Sequence, residues 1–215
     1  MTTDKASTDP RTIPATPENS RWEPLTPQQV AERLRGLDIP WWIAGGWALD
    51  LFLGRQTRAH NDIEIAVFRA DLDKVRAHLR GWEFVIAESG TFTPLGDKEP
   101  LPKAAHEIWS REKGHETWQL EILVEERDGA RWRYRRNADI GALAKDIGRF
   151  SNEGIPYIRP EIQLLYKSKG ARASDETDLI TVLPRLDAAQ RATLVAWLWT
   201  AEPGHRWLER LGSIV

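Results

Sequence analysis

The stretch "GGWALDLFLGRQTRAHNDIEIAV", residues 45–67, decides how this chain is read. Two glycines precede an apolar run, Trp47 to Leu53, with the length of two helical turns, and Gly54 supplies a residue able to close it. From Asp62 to Val67 the pattern changes to strict alternation with β-branched residues, the mark of a strand. Same-face side chains on a strand are about 6.6 Å apart at their Cα atoms. Asp62 and Glu64 therefore project together while Ile63, Ile65 and Val67 enter a core. Either the two acids are the wet face of an ordinary edge strand, or they hold a metal beside an anion site opened by the glycines.

The chemistry of the neighbours bears on that choice. Hard divalent cations prefer oxygen ligands, so two convergent carboxylates form half a site and a third acid would complete it. Glu121, inside the apolar "WQLEILVEE", is the best candidate, because an acid in such surroundings needs a reason to be there. Gly45 and Gly46 let backbone approach a ligand closely, and the following helix presents free N–H groups to an anion. Arg55, Arg58 and His60, between helix and acids, are placed for anionic oxygens. Each feature alone has a plain structural explanation: a solvated face, a turn, a surface charge. Their order within 23 residues is what points to phosphoryl or nucleotidyl transfer.

Around this centre, Thr26 reads as the N-cap of a helix carrying Val30, Leu34 and Leu37 inward, and "PWWIAG" as a buried strand. "RADLDKVRAHLRGW" is an amphipathic helix facing inward through Leu72, Val75 and Leu79. "EFVIAE", "TWQLEILVEE" and "RWRYRR" are strands, the last after an Asp128-Gly129 turn. Residues 88–116 read as a long loop or hairpin at the mouth of the site, where Glu107, Trp109, Glu112, Glu116 and Trp118 would give an acidic, aromatic groove. After Arg159 the chain is helical, with Ser174 and Asp187 as caps and Pro184 as a break. The expected organisation is a flexible tail over 1–21, a catalytic domain over 22–158 and a helical region over 159–215.

Composition excludes several classes. Of 215 residues, 41% are hydrophobic and 29% charged, an ordinary globular balance that demands a core. The net charge of −2, without a Lys/Arg run, speaks against a nucleic-acid partner. With no cysteine, disulfides, zinc-thiolate sites and thiol catalysis are ruled out. No stretch approaches the roughly 20 apolar residues of a membrane span, and the Pro/Thr/Ser-rich start lacks a signal-peptide core, so a cytoplasmic home is expected.

The central stretch closely resembles the nucleotidyltransferase superfamily, and within it the bacterial aminoglycoside and lincosamide nucleotidyltransferase group. The shared pattern is Gly45, Gly46, Trp47, Asp50, Gly54, Arg55, Arg58, His60, Asp62 and Glu64; a second match places Glu161, Gln163, Leu164 and Leu165 on a helix ahead of Asp175 and Asp178. The resemblance implies an α+β fold, the polymerase-beta-like mixed sheet flanked by helices, with a C-terminal helical part. It implies ATP or another nucleoside triphosphate with magnesium, two ions, and attack of a small molecule's hydroxyl on the α-phosphate, with an aminoglycoside- or lincosamide-like antibiotic as acceptor. By the same resemblance Asp62 and Glu64 hold the metals, and Glu121 shares a metal or takes the hydroxyl proton. Gly45, Gly46, Trp47, Arg55, Arg58 and His60 meet the nucleotide, with Lys167 or Lys169 at its phosphates. Glu64 departs from the Asp commoner in the superfamily. The alternative is a protein of this fold that modifies or binds a protein partner, as in toxin–antitoxin pairs, or a silent nucleotide binder.

Overall fold

The computed structural model describes residues 9–212. The short helix α1 (Pro27–Arg33) starts where expected: Thr26 and Gln29 form a reciprocal capping box, and Pro27 occupies the first turn. Strand β2 (Trp41–Ile43) leads into α2 (Gly45–Leu53), closed by Gly54 at φ 70°. Strand β3 (Glu64–Phe68) follows, and then α3 (Leu72–His78), entered through a 3-10 turn at Arg69–Asp71. Strands β4 (Trp82–Glu88), β5 (Thr91–Pro94), β6 (Glu107–Glu112) and β7 (Leu120–Asp128) form antiparallel ladders in the order β5-β4-β6-β7. β7 then lies parallel to β3, with Glu64 opposite Glu121. Beyond β3, β2 pairs antiparallel to it and β11 (Pro156–Ile158) parallel to β2. The sheet is therefore mixed, as expected.

β3 is apolar on both faces because both are covered. Ile65 and Val67 enter one core with Val30, Leu34, Val75 and Leu79 of the α1–α3 layer. Ala66 and Phe68 enter a second core with Trp132 and the leucines of the C-terminal helices. Those helices are α4 (Pro160–Ser168), α5 (Ala173–Val182), α6 (Ala188–Ala201) and α7 (Trp207–Gly212). The functional end of the sheet lies where β3 begins and the apolar run gives way to acids. Among the described residues no helix is long and apolar enough to cross a membrane.

Several expectations need correction. Residues 9–21 are not a loose tail: β1 (Ile13–Pro14) pairs with β5, Arg11 bridges Asp9 and Glu99, and Trp118 Nε1 donates to the Asn19 carbonyl at 2.7 Å. Residues 1–8 lie outside the described residues. The segment 88–116 lines the cleft as expected but is not one loop: it holds two sheet strands, β5 and β6, joined by a loop over 95–106, and the alternating burial of the strands was hidden by interspersed glycines and charges. Glu112, Glu116 and Trp118 do not form a groove: Glu112 pairs with Arg33, Glu116 with Arg21, and Trp118 is buried. Ser174 sits inside α5, whose cap is Arg172, held by Asp175; Asp187 caps α6 as expected. The short strands β8 (Arg131–Arg133), β9 (Gly141–Leu143) and β10 (Gly148–Phe150) complete the sheet, of which only β8 has a strong sequence signal.

Candidate active site

Asp62 lies just before β3, Glu64 is its first residue, and Glu121 is the facing residue of β7. Carboxylate oxygens of all three lie within 4.8 Å of one another. Glu64 Oε2 is buried and accepts no hydrogen bond. Burial first, and then the charge of Asp62, push the Glu64 carboxyl up to about 7. Glu121 is raised well above the usual carboxylate range, first by burial and then by Glu64. Two acids whose carboxyls resist ionisation, one with an unpartnered buried oxygen, and a third carboxylate within reach of both make a donor set that fits a hard divalent cation.

Gly45 explains why the glycines stand where they do. Its φ is +62°, and a Cβ there would run into the Glu64 carboxylate. The absent side chain thus lets Glu64 fold under the N-terminus of α2. No side chain caps that helix at Ala44, and the Gly45 N–H donates to Gln163 Oε1 of α4 at 2.9 Å. Gly46 serves a different contact: a Cβ there would meet Arg58 and His60.

Arg58 and His60 are engaged with carboxylates. Arg58 forms a bidentate pair with Asp178 of α5, at 2.9 Å from Nε and 3.1 Å from Nη2. His60 Nε2 lies 2.6 Å from Asp50 Oδ2, and its ring sits on Trp47 with centroids 4.4 Å apart. Asp50 also accepts from Thr57. Asp178 takes in addition Lys167 Nζ at 2.9 Å, and Lys167 bonds Asp175 at 3.1 Å. Burial opposes the charge of Asp178, but Arg58 and Lys167 outweigh it and hold the acid below its ordinary range.

The acids open into a cleft of about 610 Å³. Of the expected site residues, Gly45, Asp62, Glu64, Glu121 and Lys167 line it, while Gly46, Trp47, Arg55, Arg58, His60 and Lys169 do not. Arg55 and Lys169 are exposed. Sequence reasoning missed Arg172 and Tyr166 and held Glu125 only as the alternative to Glu121; all three are on the cleft wall. Glu125 had a signal: it lies four residues after Glu121 and so shares its face of β7. Tyr166 is the residue before Lys167 on α4, but nothing in its surroundings distinguishes it from core.

This sheet, with its acids at the head of β3 and on β7, is the fold of the nucleotidyltransferases. The solved structure of the lincosamide antibiotic adenylyltransferase LnuA, lincomycin-bound, has the same fold, with a TM-score of 0.50 and 18% identity over 79% of this chain and 98% of that one. A family model described as Aminoglycoside-2''-adenylyltransferase matches residues 28–94, which include Gly45 through Glu64. The 2''-aminoglycoside nucleotidyltransferases of Escherichia coli and Klebsiella pneumoniae are 36% identical over 64 residues, 28% of this chain and 36% of each relative. The chain matches about a third of the length of these curated relatives. The resemblance to the aminoglycoside and lincosamide group, carried by the central motif, is thus met by both sequence comparisons and by the fold.

Proposed function

We propose that the protein transfers a nucleoside monophosphate from ATP or another nucleoside triphosphate to a hydroxyl of a small molecule, as an antibiotic nucleotidyltransferase does. The observation that carries this reading is the convergence of Asp62, Glu64 and Glu121 within 4.8 Å beside the uncapped, glycine-started end of α2. In the reaction the acceptor oxygen bonds to the α-phosphorus, the bond from that phosphorus to the β-phosphate bridging oxygen breaks, and pyrophosphate leaves. Asp62, Glu64 and Glu121 would hold magnesium, which when bound supplies positive charge for the phosphate oxygens and for the hydroxyl oxygen as it loses its proton. Glu121, on β7 opposite Glu64, would take that proton, a role its position beside the other two acids supports. Gly45 N–H is fixed by Gln163, and Lys167 and Arg172 bring positive charge to the same cleft for the triphosphate. The intact acids favour catalysis over a silent binder.

The test is pyrophosphate release from ATP and GTP with magnesium across a panel of lincosamides and aminoglycosides, with the product identified by a nucleotidyl mass shift. Absence of any shifted product, or a shift found on protein instead, would overturn the reading.

A further inference from the structure

The turn between α4 and α5 brings Lys167, Gly170, Arg172 and Asp175 to the cleft. Its backbone is strained: Ala171 has φ 39°, in the left-handed region that disfavours a residue with a Cβ. Such a conformation persists only where its surroundings over-determine it. Part of the restraint is local, since the Gly170 and Ala171 N–H groups donate to the Lys167 carbonyl at 3.2 and 3.0 Å. The rest comes from residues 205–210, which stand outside the cleft lining.

His205 is buried, and both of its ring nitrogens are used. Nδ1 accepts the Trp207 N–H at 3.1 Å, so the proton sits on Nε2, which donates to the Ser168 carbonyl at 3.1 Å. Arg206 Nη2 donates to the Ala171 carbonyl at 2.9 Å and also pairs with Glu176 Oε1. The same Glu176 oxygen accepts Trp207 Nε1 at 2.7 Å, and its other oxygen pairs with Arg210 at 3.1 Å. Glu176 follows Asp175, the carboxylate that holds both Lys167 and Arg172. The turn is thus gripped before its strained residue, at that residue, and in the first turn of α5 beyond it.

We infer that residues 205–210 brace this turn: His205 and Arg206, with Glu176 as anchor, are positioning residues that hold Lys167 and Arg172 toward the triphosphate without touching it. The inference rests on the proposed transferase reading and adds to it residues that set nucleotide affinity from a distance. The acids belong to β3 and β7 and do not depend on the brace. Loosening it therefore weakens the hold on the phosphates and leaves the metal site as it was.

Binding of magnesium-ATP, without acceptor, is measured by calorimetry well below each variant's melting temperature, beside the rise in melting temperature that magnesium alone produces. His205→Leu should weaken magnesium-ATP about tenfold and keep the magnesium effect, because misplaced cations lose charge-assisted bonds. His205→Gln, whose amide supplies a donor where Nε2–H stood, should restore wild-type affinity. Arg206→Ala changes an exposed side chain and should weaken binding about threefold; it decides the matter should His205→Leu fail to fold. Wild-type affinity in Arg206→Ala and in any folded His205→Leu overturns the inference and leaves the transferase reading standing. So does equal loss in the Gln and Leu variants, or loss of the magnesium effect along with ATP, either of which marks His205 as a general packing residue. Wild-type protein that binds no magnesium-ATP overturns the reading and the inference together.

Discussion

Arg58 and Asp178, 120 residues apart in sequence, are joined by two parallel hydrogen bonds of 2.9 and 3.1 Å between the loop after α2 and helix α5. Asp178 also holds Lys167, so one carboxylate positions two cations at the edge of the active site. Asp178→Asn should therefore cost about 3 kcal/mol, the lower end for breaking a buried ion pair because Arg58 is partly exposed. Urea unfolding reads the loss, and nucleotide calorimetry should show weaker binding as Lys167 is released. Unchanged stability would show that water replaces the pair freely.

Arg58→Ala, by the same geometry, should lower the melting temperature more than it weakens nucleotide binding. Its guanidinium is spent on Asp178 and it does not line the cleft. A tenfold or larger loss of nucleotide affinity with an unchanged melt would instead place Arg58 on the triphosphate.

Asp62→Asn should abolish transfer and leave the fold intact, since Asp62 precedes β3 and no core residue depends on it. The paired measurements are a circular dichroism melt and the rate of pyrophosphate release. A variant that is active, or one that fails to fold, contradicts the assignment.

Without magnesium the protein should lose stability as pH rises. The Glu64 carboxyl is raised from 4.5 to about 7 by burial and by Asp62, so the folded form holds its proton more tightly than the unfolded chain. Its stabilising effect is complete below about pH 4.5 and is lost as pH climbs to about 7. Melts in chelator should fall between pH 5 and pH 8, and magnesium should recover the loss at pH 8 by binding only the folded form. A melting temperature that is flat or rises over that interval would mean the acids do not strain one another.

Glu121→Gln removes one charge from the same cluster. The metal-free protein should melt slightly higher, while turnover falls by about 10²–10⁴-fold if Glu121 is the general base. Normal turnover would move that role to another cleft acid, with Glu125 the first to test.

What could be read from the sequence was what short-range patterns specify. Thr26, Gly54 and Asp187 mark helix ends by local hydrogen bonding or backbone freedom, and the structure uses each one so. The Asp62-x-Glu64 spacing gave a shared direction, and Glu121 stood out by its apolar flanks. The partner of Arg58 was not legible: Asp50 was as near in sequence as Asp178 was far, and only the docking of α5 chooses between them. β10 and β11, three residues each, carry too little pattern to declare themselves, and their pairing is imposed by β2. Gly46 was read as ligand-facing because a missing side chain looks the same in sequence whether a phosphate or an arginine fills the space.

The placement of Lys167 and Arg172 has a consequence for how the protein would fail. The acids belong to the central sheet, but these cations ride on helices whose own core is separate from that beneath α1 and α3. Should the second core loosen first on heating, as regions of lower local stability do, the acids would stay in register while the positive wall drifted away. Activity would then vanish at a temperature where most of the β-structure is still present, and inactivation and unfolding would trace two different curves.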